Sequence, residues 1–484
     1  MADGSTVPGH VEVRPKTRIL LSLPISTSSN AILFIVCVLV SLVLQLPGNV
    51  PFDGITVWYE AVHGILFKQH PPAMVLLWRI SNLAAPGPAP FTGLQLLTLW
   101  LFCAVALERW RPPLWLAAAF YLAMLASPLV FAMSGKIGKD IIGGHLAILA
   151  FVVAARADGP PRSNWEWAIA WACATLAAMI RYQLGVIFLA LGVLLLLERR
   201  QFPGLLRNRV WASLGSVVLT FAVVTVGIAA IFISRGPNDV DQSFRKIFLF
   251  DIAGAQAYDH EARLPVFSQA GVDQADIKAA MIKLYDPARV DTLWVSGGVF
   301  DKLQNLSDAA IFRQWRYTLL HEPKAVFFHR MAAFRKVLGF GDIYTCWPVY
   351  AGISKIPTDR VKDLNAQSYG RAISADIVKA RYFPAGTFLF RAWTYSLVCL
   401  VLLTLPLFWK EAPPEAAALG AVGVLYELSF FVLPQACDVR YSYLTMLSAM
   451  RGGAIAIFSV TCQKPDPTAS WSKGTRGSLD QISN

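Results

Sequence analysis

The sequence predicts an all-α polytopic membrane protein, and three observations support this fold class. Of the 484 residues, 55% are hydrophobic and only 15% are charged, with a mean hydropathy of +0.49, whereas soluble domains average about 25% charged residues. Several apolar stretches approach or exceed the roughly 18–20 residues that cross a hydrocarbon core. The connections between them alternate between Arg-rich and Arg-poor, so the net charge of +12 is assigned to cytoplasmic loops rather than to nucleic-acid binding.

The N-terminal part of the chain predicts one span followed by a long outer loop. Residues 1–30 contain a cluster of basic side chains and form a cytoplasmic segment, so the first span, Ala31–Leu46, runs from the cytoplasm to the exterior. The first outer loop, residues 47–90, contains two short helical candidates, Ile55–Phe67 and Ala73–Leu83. Each is too short to cross the bilayer, so we expect both to lie on the outer surface as amphipathic helices.

Residues 31–233 form the predicted N-terminal transmembrane module. Its further spans are Phe91–Leu107, Leu114–Met133, Ile141–Ala155, Trp165–Ile180, Gln183–Leu197 and Val210–Ile233. The Arg-rich connections, which we assign to the cytoplasm, are Glu108–Pro113, Arg156–Arg162 and Glu198–Arg209. The connection Ser134–Asp140 and the tight joint at Arg181–Tyr182 then face outward, without exception to the positive-inside rule.

The second half of the chain predicts an outer domain and a second membrane module. Residues 234–385 are mostly polar and form an extracytoplasmic loop domain, whose basic amphipathic helix Lys324–Leu338 lies at the interface. Residues 386–462 contain the last spans, which brings the total to about ten. These spans are Phe388–Trp409, Ala416–Leu433 and Tyr443–Val460. Residues 463–484 form a disordered cytoplasmic tail.

The first outer loop carries three polar residues that could perform chemistry. Asp53 follows the first span, and Glu60 lies two helical turns further on the same helix face. Two carboxylates near one membrane surface can divide the roles of general base and of a group that orients the substrate. Alternatively, Asp53 is a solvated loop acid that caps the helix that follows it. His70, followed by two prolines, begins the second surface helix and is either a binding residue or a polar flank.

Ionisable residues also mark the outer ends of later spans. Lys139 and Asp140 open the fourth span, where such groups usually face a wet cavity. The alternative is a snorkelling lysine beside a capping aspartate. Arg181 and Tyr182 separate two apolar runs, and the arginine suits a lipid phosphate because guanidinium offers bidentate donors. Both residues could instead be interfacial anchors.

The connection before the last span contains Arg440 and Tyr441, which could bind phosphate or sugar or belong to an aromatic belt. Cys437 lies just before them, and Cys346 also faces outward. The sequence leaves open whether these two cysteines form a disulfide. Arg451 lies inside the last span and is either a buried partner for an acid or a sign that the span boundary is wrong.

Together these features resemble the GT-C superfamily of membrane glycosyltransferases, especially members that use lipid-phosphosugars, such as the protein O-mannosyltransferases and aminoarabinose transferases. The resemblance is carried by the acid Asp53 after the first span, the His-Pro-Pro start at His70, the pair Lys139–Asp140 in SGKIGKDIIGGHLAILA, and the loop with Arg440-Tyr441. One departure is Gly54, since many relatives carry a second acid there. The outer domain, in turn, suggests no known soluble fold.

The resemblance implies a glycosyltransferase that moves a sugar from a polyprenyl-phosphate donor to an acceptor hydroxyl of a glycan, lipid or protein. The reaction takes place on the periplasmic or exterior face of the plasma (bacterial inner) membrane. Asp53 and Asp140 are the implied catalytic residues. Lys139, Arg181 and Arg440 are implied to stabilise charge on the departing phosphate. Further substrate-binding candidates are Glu60, His70, Tyr182 and Tyr441. Some relatives use a divalent metal, but the sparse acids of this chain argue against a metal site.

Two other function classes stay open. A transporter or lipid flippase places its polar residues near the bilayer midplane on broken helices, commonly within repeats. In this chain the polar residues collect at one surface and no internal repeat is found. A non-catalytic envelope scaffold of GT-C fold remains an alternative because Asp53 has no acidic neighbour.

Overall fold

The computed structural model describes residues 25–67, 70–155, 162–201, 206–231, 234–235, 242–342, 344–346, 349–354, 359–374, 376–377, 387–434 and 436–461. Most of the predicted N-terminal segment, the tail 463–484 and most of the Arg156–Arg162 connection lie outside these residues. Within the described ranges the regular structure is almost entirely helical. The one β-ladder there pairs Ile65–Leu66 with Ser234–Arg235 in parallel.

Helices in the first half of the chain follow the predicted order. They are α1 Thr27–Gln45, α2 Phe52–His63, α3 Pro72–Ser81, α4 Ala89–Trp110, α5 Leu114–Ala126, α6 Pro128–Ser134, α7 Lys139–Ala154, α8 Asn164–Ile180, α9 Ile187–Gln201 and α10 Leu206–Ile231. A 3-10 turn, Tyr182–Val186, joins α8 to α9.

Helices in the second half lie in residues 234–385, the segment predicted to be extracytoplasmic, which we call the outer segment, and in the final predicted membrane module. They are α11 Gln242–Tyr258, α12 Pro265–Gln269, α13 Gln274–Leu284, α14 Val299–Lys302, α15 Asp308–His321, α16 Pro323–Val337, α17 Asp359–Asp363, α18 Ala392–Phe408, α19 Pro414–Val432 and α20 Tyr443–Thr461. A 3-10 turn, Val439–Ser442, leads into α20.

The predicted fold class of an all-α polytopic membrane protein is confirmed. Among the described residues, five helices are long and apolar enough to cross a membrane, and the bent pair α5–α6 makes six. The other four predicted spans are α7, α8, α9 and α18, which have 16, 17, 15 and 17 residues. At about 1.5 Å per residue these four helices are slightly shorter than a hydrocarbon core of about 30 Å.

The third predicted span is bent because proline interrupts it. α5 and α6 meet at an angle of 61°. Pro128 has no N–H to continue the hydrogen bonds of α5, and the Ser127 hydroxyl instead accepts from the backbone N–H of Val130 at 3.4 Å. The break begins a new helix that brings the chain to the outer connection 135–138.

The two short helices of the first outer loop have recognisable starts and stops. α2 has an acid, Asp53, in its first turn, where the helix dipole favours negative charge. It ends at Gly64, whose φ of +68° is the left-handed conformation that glycine tolerates. α3 begins at Pro72, where a missing N–H costs no helical hydrogen bond.

The contacts between connections agree with the predicted alternation of sides. At one end of the bundle, where the Arg-rich connections meet, Arg109 donates to Glu166 at 2.6 Å and Arg209 lies 3.3 Å from Glu198. At the other end, the connections predicted to face outward meet around Arg440. Ionisable residues that share a predicted side therefore also share an end of the structure.

The outer segment is helical and has a hydrophobic cluster of its own, which includes Phe250, Phe267 and Leu293. Phe327 and Phe328 on its basic helix α16 are both partly exposed, and Phe327 also packs edge-on against Phe431 of α19 at 6.0 Å. This contact holds the outer segment against the end of the membrane helices that carries Arg440.

Candidate active site

Arg440 lies at the centre of a buried ion-pair cluster. It belongs to the 3-10 turn before α20, where the Asp438 carboxylate accepts from the Arg440 backbone N–H at 3.0 Å. Its guanidinium donates from Nη2 to Oδ2 of Asp53 at 2.6 Å. The Nε atom lies 2.9 Å from Oδ2 of Asp438 and 3.6 Å from Oδ2 of Asp140. One guanidinium thus contacts three carboxylates from distant parts of the chain.

Asp53 is the accessible member of this cluster, with half of its side chain exposed. Surrounding protein atoms raise the pKa of Asp53, but the positive charges of Arg440 and Lys139 lower it by more, so the pKa lies well below its usual range. Asp53 is therefore a carboxylate at neutral pH. It can accept a hydrogen bond while Arg440 holds it in place.

The space beside Asp53 explains why glycine follows it. Gly54 is buried, and a Cβ at that position would lie 3.0 Å from Val50 and 3.2 Å from Pro51. These contacts are tighter than ordinary van der Waals contact, so a side chain at position 54 would require the Val50 and Pro51 side chains to move by a few tenths of an ångström.

Asp140 and Arg181 form the buried side of the cluster. Asp140 is the second residue of α7 and is ion-paired with Nη1 of Arg181. The Arg181 Nε donates to Gln183 at 2.7 Å. Its guanidinium carbon lies 4.7 Å from the ring centroid of Tyr441, and the same ring lies 5.4 Å from the guanidinium carbon of Arg440. Tyr441 therefore contacts both arginines by cation–π interaction.

Lys136 and Asp438 belong to the cluster although sequence reasoning did not single them out. The buried Lys136 Nζ donates to Oδ1 of Asp438 at 3.2 Å. Burial lowers the pKa of Lys136, and the neighbouring Asp438 only partly offsets this effect. Both residues could have been found from their closeness in sequence to predicted site residues. Lys136 lies three positions before Lys139, and Asp438 lies two positions before Arg440.

Lys139 completes the set of charges and lines a small cavity of about 20 Å³ together with Asp53, His70 and Arg440. No carboxylate of the described residues lies within 4.0 Å of its ammonium group. The cluster contains four basic side chains and three carboxylates, namely Lys136, Lys139, Arg181 and Arg440 against Asp53, Asp140 and Asp438. The surplus positive charge is able to interact with an anionic ligand.

Glu60 lies behind His70 rather than beside Asp53. Its buried carboxylate accepts from the backbone N–H of Phe67 at 2.6 Å, and its other oxygen lies 2.8 Å from Nδ1 of His70. Glu60 thereby orients His70 towards the cavity and is itself shielded from any ligand. Tyr182, in contrast, is not part of the cluster. Its side chain is 58% exposed, a position typical of an aromatic belt.

A disulfide attaches the outer segment to the cluster. Cys346 and Cys437 are bonded, with their Cα atoms 4.8 Å apart. The backbone N–H of Cys437 also donates to the carbonyl of Ala288 in the outer segment at 2.8 Å. Both contacts fix the chain immediately before Asp438 and Arg440. Within the described ranges, no group of three or more His, Cys, Asp or Glu residues could hold a metal ion.

Two solved structures were found to be similar to this chain. ArnT from Cupriavidus metallidurans in the apo state has 16% sequence identity and a TM-score of 0.33, over 90% of this chain and 78% of that chain. ArnT from the same organism bound to undecaprenyl phosphate has 16% identity and a TM-score of 0.32, over 90% of this chain and 79% of that chain. No protein-family model and no curated protein sequence matches. The similarity is distant in both sequence and structure.

Proposed function

We propose that this protein is a GT-C-type glycosyltransferase that moves a sugar from a polyprenyl-phosphate donor to an acceptor hydroxyl on the extracytoplasmic face of the membrane. One observation carries this function. The half-exposed Asp53 carboxylate and the Lys139 ammonium line the same cavity, and buried Arg440 holds Asp53 in position. Such a reaction needs a base for the acceptor hydroxyl and a cation for the departing phosphate. An acid and a surplus cation at one membrane surface meet these two needs.

In this reaction the acceptor oxygen attacks the anomeric carbon of the donor sugar. The new carbon–oxygen bond forms while the bond between the anomeric carbon and the phosphate oxygen breaks, and its electron pair leaves with the polyprenyl phosphate. Asp53 accepts the hydrogen bond of the acceptor hydroxyl and then its proton. The low pKa of Asp53 keeps the carboxylate ionised, so it can orient the hydroxyl before the proton is transferred.

The leaving phosphate develops negative charge, which the basic side chains of the cluster can stabilise. Lys139 is the natural first contact because it lines the cavity and has no carboxylate partner among the described residues. Arg440 is shared among carboxylates and therefore serves mainly to position Asp53. A cavity of about 20 Å³ holds little more than a water molecule, so donor binding requires its walls to separate.

The outward orientation has two supports. The cluster lies at the end of the bundle opposite to the Arg-rich connections, which the positive-inside rule assigns to the cytoplasm. The disulfide between Cys346 and Cys437 belongs to an oxidising compartment such as the periplasm or the cell exterior. Nucleotide sugars are absent there, which favours a lipid-linked donor in the plasma membrane.

The outer segment, residues 234–385, is proposed to be an extracytoplasmic domain that contributes to acceptor recognition. Its residues 349–354 form backbone hydrogen bonds with Val50, which lies just before α2. The Val50 N–H donates to the carbonyl of Gly352 at 2.9 Å, and the Ser354 N–H donates to the carbonyl of Val50 at 2.9 Å. Arg360 also donates to Thr56 on α2 at 3.2 Å. These contacts place the outer segment beside the start of α2, which carries Asp53.

An Asp53→Asn variant tests the function. Membranes containing the full chain are incubated with a panel of radiolabelled undecaprenyl-phosphate hexoses and pentoses, and the release of undecaprenyl phosphate is followed. We expect the wild type to cleave at least one donor and Asp53→Asn to lose at least about 100-fold in rate, with unchanged Tm. The matched control is Asp276→Asn, since Asp276 is 55% exposed and also ion-paired, with Lys302.

Three results would oppose this assignment. A fully active Asp53→Asn variant would remove the catalytic role of the carboxylate. Movement of the labelled lipid across the bilayer without cleavage would indicate a flippase. A chain that neither cleaves nor moves any donor in the panel would favour a scaffold.

A further inference from the structure

Arg451 is a buried arginine inside the last membrane helix and is remote from the Asp53 cluster. It lies eight residues after the start of α20, about 12 Å along the helix axis. The residue is only 2% exposed, and none of its guanidinium nitrogens has a hydrogen-bond partner among the described residues. Because buried donors are almost always satisfied, a side chain with three such nitrogens points to a ligand from outside these residues.

Three aromatic rings surround the guanidinium, and we name this group the Arg451 cage. The guanidinium carbon lies 4.9 Å from the ring centroid of Trp110, 5.5 Å from that of Phe120 and 6.0 Å from that of Phe458. Because Phe458 follows Arg451 by seven residues on the same helix, the side chain extends towards the C-terminal end of α20. Trp110 is the last residue of α4, beside the Arg-rich connection. The cage therefore faces the predicted cytoplasmic side.

The cage does not compensate the charge of Arg451. Each cation–π contact contributes about 0.5–2 kcal/mol, but aromatic faces accept no strong hydrogen bond and supply no counter-charge. A guanidinium stays charged in proteins, and a buried unpaired charge costs several kcal/mol. The sequence allowed an acidic partner for Arg451, yet the described residues place no carboxylate within 4.0 Å of it.

Two acids at this end of the bundle, Glu166 and Glu198, already have basic partners. Glu166 pairs with Arg109 at 2.6 Å, and Glu198 lies 3.3 Å from Arg209. Neither is available to neutralise Arg451, so the compensating anion must come from outside this set.

We propose that Arg451 binds the phosphate group of a phospholipid from the cytoplasmic leaflet. Guanidinium matches phosphate oxygens with two parallel hydrogen bonds, and basic pockets between membrane helices on the cytoplasmic side bind phospholipid head groups. The surface beside the cage suits the acyl chains, because Leu122 on α5 and Ile457 on α20 are exposed. Their neighbours in sequence, Phe120 and Phe458, pack edge-on at 5.9 Å and join the two helices. This lipid site is independent of the proposed reaction, because the Arg451 side chain extends from the middle of α20 away from the Asp53 cluster.

Thermal unfolding in phosphate-free micelles tests the lipid site. The full chain is purified in dodecyl maltoside, and Tm is measured with and without added phosphatidylglycerol. We expect phosphatidylglycerol to raise the wild-type Tm by about 2 °C or more. In Arg451→Met this rise disappears. Without phospholipid the variant is at least as stable as the wild type, because an uncompensated buried charge has been removed.

Two further variants sharpen the comparison. Arg111→Met keeps the full rise, since Arg111 lies at the same end of the bundle but its side chain is 67% exposed. Arg451→Lys keeps the charge but loses the planar set of guanidinium donors, so we expect a smaller Tm increase with phosphatidylglycerol. This variant remains informative if the methionine variant does not fold.

Several outcomes would overturn the lipid assignment. One is a rise that persists in Arg451→Met, and another is a wild type that phosphatidylglycerol does not stabilise. Inorganic phosphate alone producing the same rise would identify a free anion instead. An equal loss of Tm in Arg451→Met and Asp466→Asn without phospholipid would identify a carboxylate of the C-terminal tail as the partner.

Discussion

The guanidinium of Arg440 donates to the carboxylate of Asp53 at 2.6 Å although 387 positions separate the two residues in sequence. This contact joins the first turn of α2 to the turn that precedes α20. It places the one half-exposed acid of the cluster at a fixed distance from the basic residues around it. The geometry of the candidate site therefore depends on a residue that needs no contact with substrate.

Replacing Arg440 by lysine tests this positioning role. Lysine keeps the positive charge but offers a single ammonium group, which cannot contact Asp53, Asp140 and Asp438 together. We expect Arg440→Lys to lower kcat/KM by about 10–100-fold, which corresponds to about 1.4–2.7 kcal/mol. The measurement is donor cleavage by purified protein, with Tm as the check on folding.

The control for this variant is Arg289→Lys in the outer segment. Arg289 also contacts a carboxylate through two nitrogens, at 3.2 Å and 2.6 Å from Asp291, but this pair is exposed. We expect no change in kcat/KM there. An Arg440→Lys variant as active as this control would contradict the positioning role.

Asp140 is expected to act on stability more than on the chemical step. Its carboxylate is fully buried between Arg181 and Arg440, so Asp140→Asn leaves two buried guanidiniums with less counter-charge. Removing one partner of a buried ion pair costs about 3–5 kcal/mol, and we expect a clearly lower Tm. The double variant Asp140→Asn with Arg181→Gln should recover part of this loss. A single variant with wild-type Tm would show that the pair does not stabilise the fold.

The pH dependence of activity follows from the low pKa of Asp53. Since Arg440 and Lys139 hold this pKa below its usual range, the reactive carboxylate persists as the pH falls to about 4, the ordinary value for aspartate. Protonation of Asp53 should therefore not reduce kcat/KM above that pH. In Lys139→Met one of the lowering charges is gone, so the pKa rises and the acid limb of the residual kcat/KM moves to higher pH.

The pH profiles of wild type and Lys139→Met are compared over the range in which both remain folded, as judged by near-UV circular dichroism. An acid limb at the same pH in both proteins would mean that Asp53 is not the titrating group. Lys139→Met should also raise KM for the donor, because Lys139 is the cation of the cavity without a carboxylate partner in the described part of the chain.

The disulfide is expected to stabilise both the fold and the Arg440 turn. Cys346 and Cys437 enclose a separation of 91 residues, and removing a link of this kind typically costs about 2–4 kcal/mol. We expect Cys437→Ser to lower Tm and to reduce donor cleavage, because Cys437 lies three residues before Arg440. Cys173→Ser is the matched control, since Cys173 is a free cysteine. Equal donor cleavage by both variants would show that the disulfide does not contribute to the geometry of the candidate active site.

The class of fold and the order of the helices follow from the amino-acid sequence. Long apolar runs with few charges have no stable place except a bilayer, so the positions of α1, α4 and α20 could be predicted within a few residues. Charge alternation also predicts which connections share a side, because translocation of basic loops is unfavourable. The same rule assigns Asp53 and Arg440 to one side of the membrane from their positions along the chain.

Which of those residues meet depends on how the helices pack. Hydropathy reports the depth of a residue in the bilayer but not its angle around a helix or the neighbour it faces. Sequence reasoning therefore grouped Glu60 and Tyr182 with Asp53, whereas packing buries Glu60 behind His70 and leaves Tyr182 exposed. It passed over Lys136 for the same reason, since the ion pair of Lys136 with Asp438 spans 302 positions. Tertiary packing selects such distant pairs, because burial makes an unpaired charge too costly to retain.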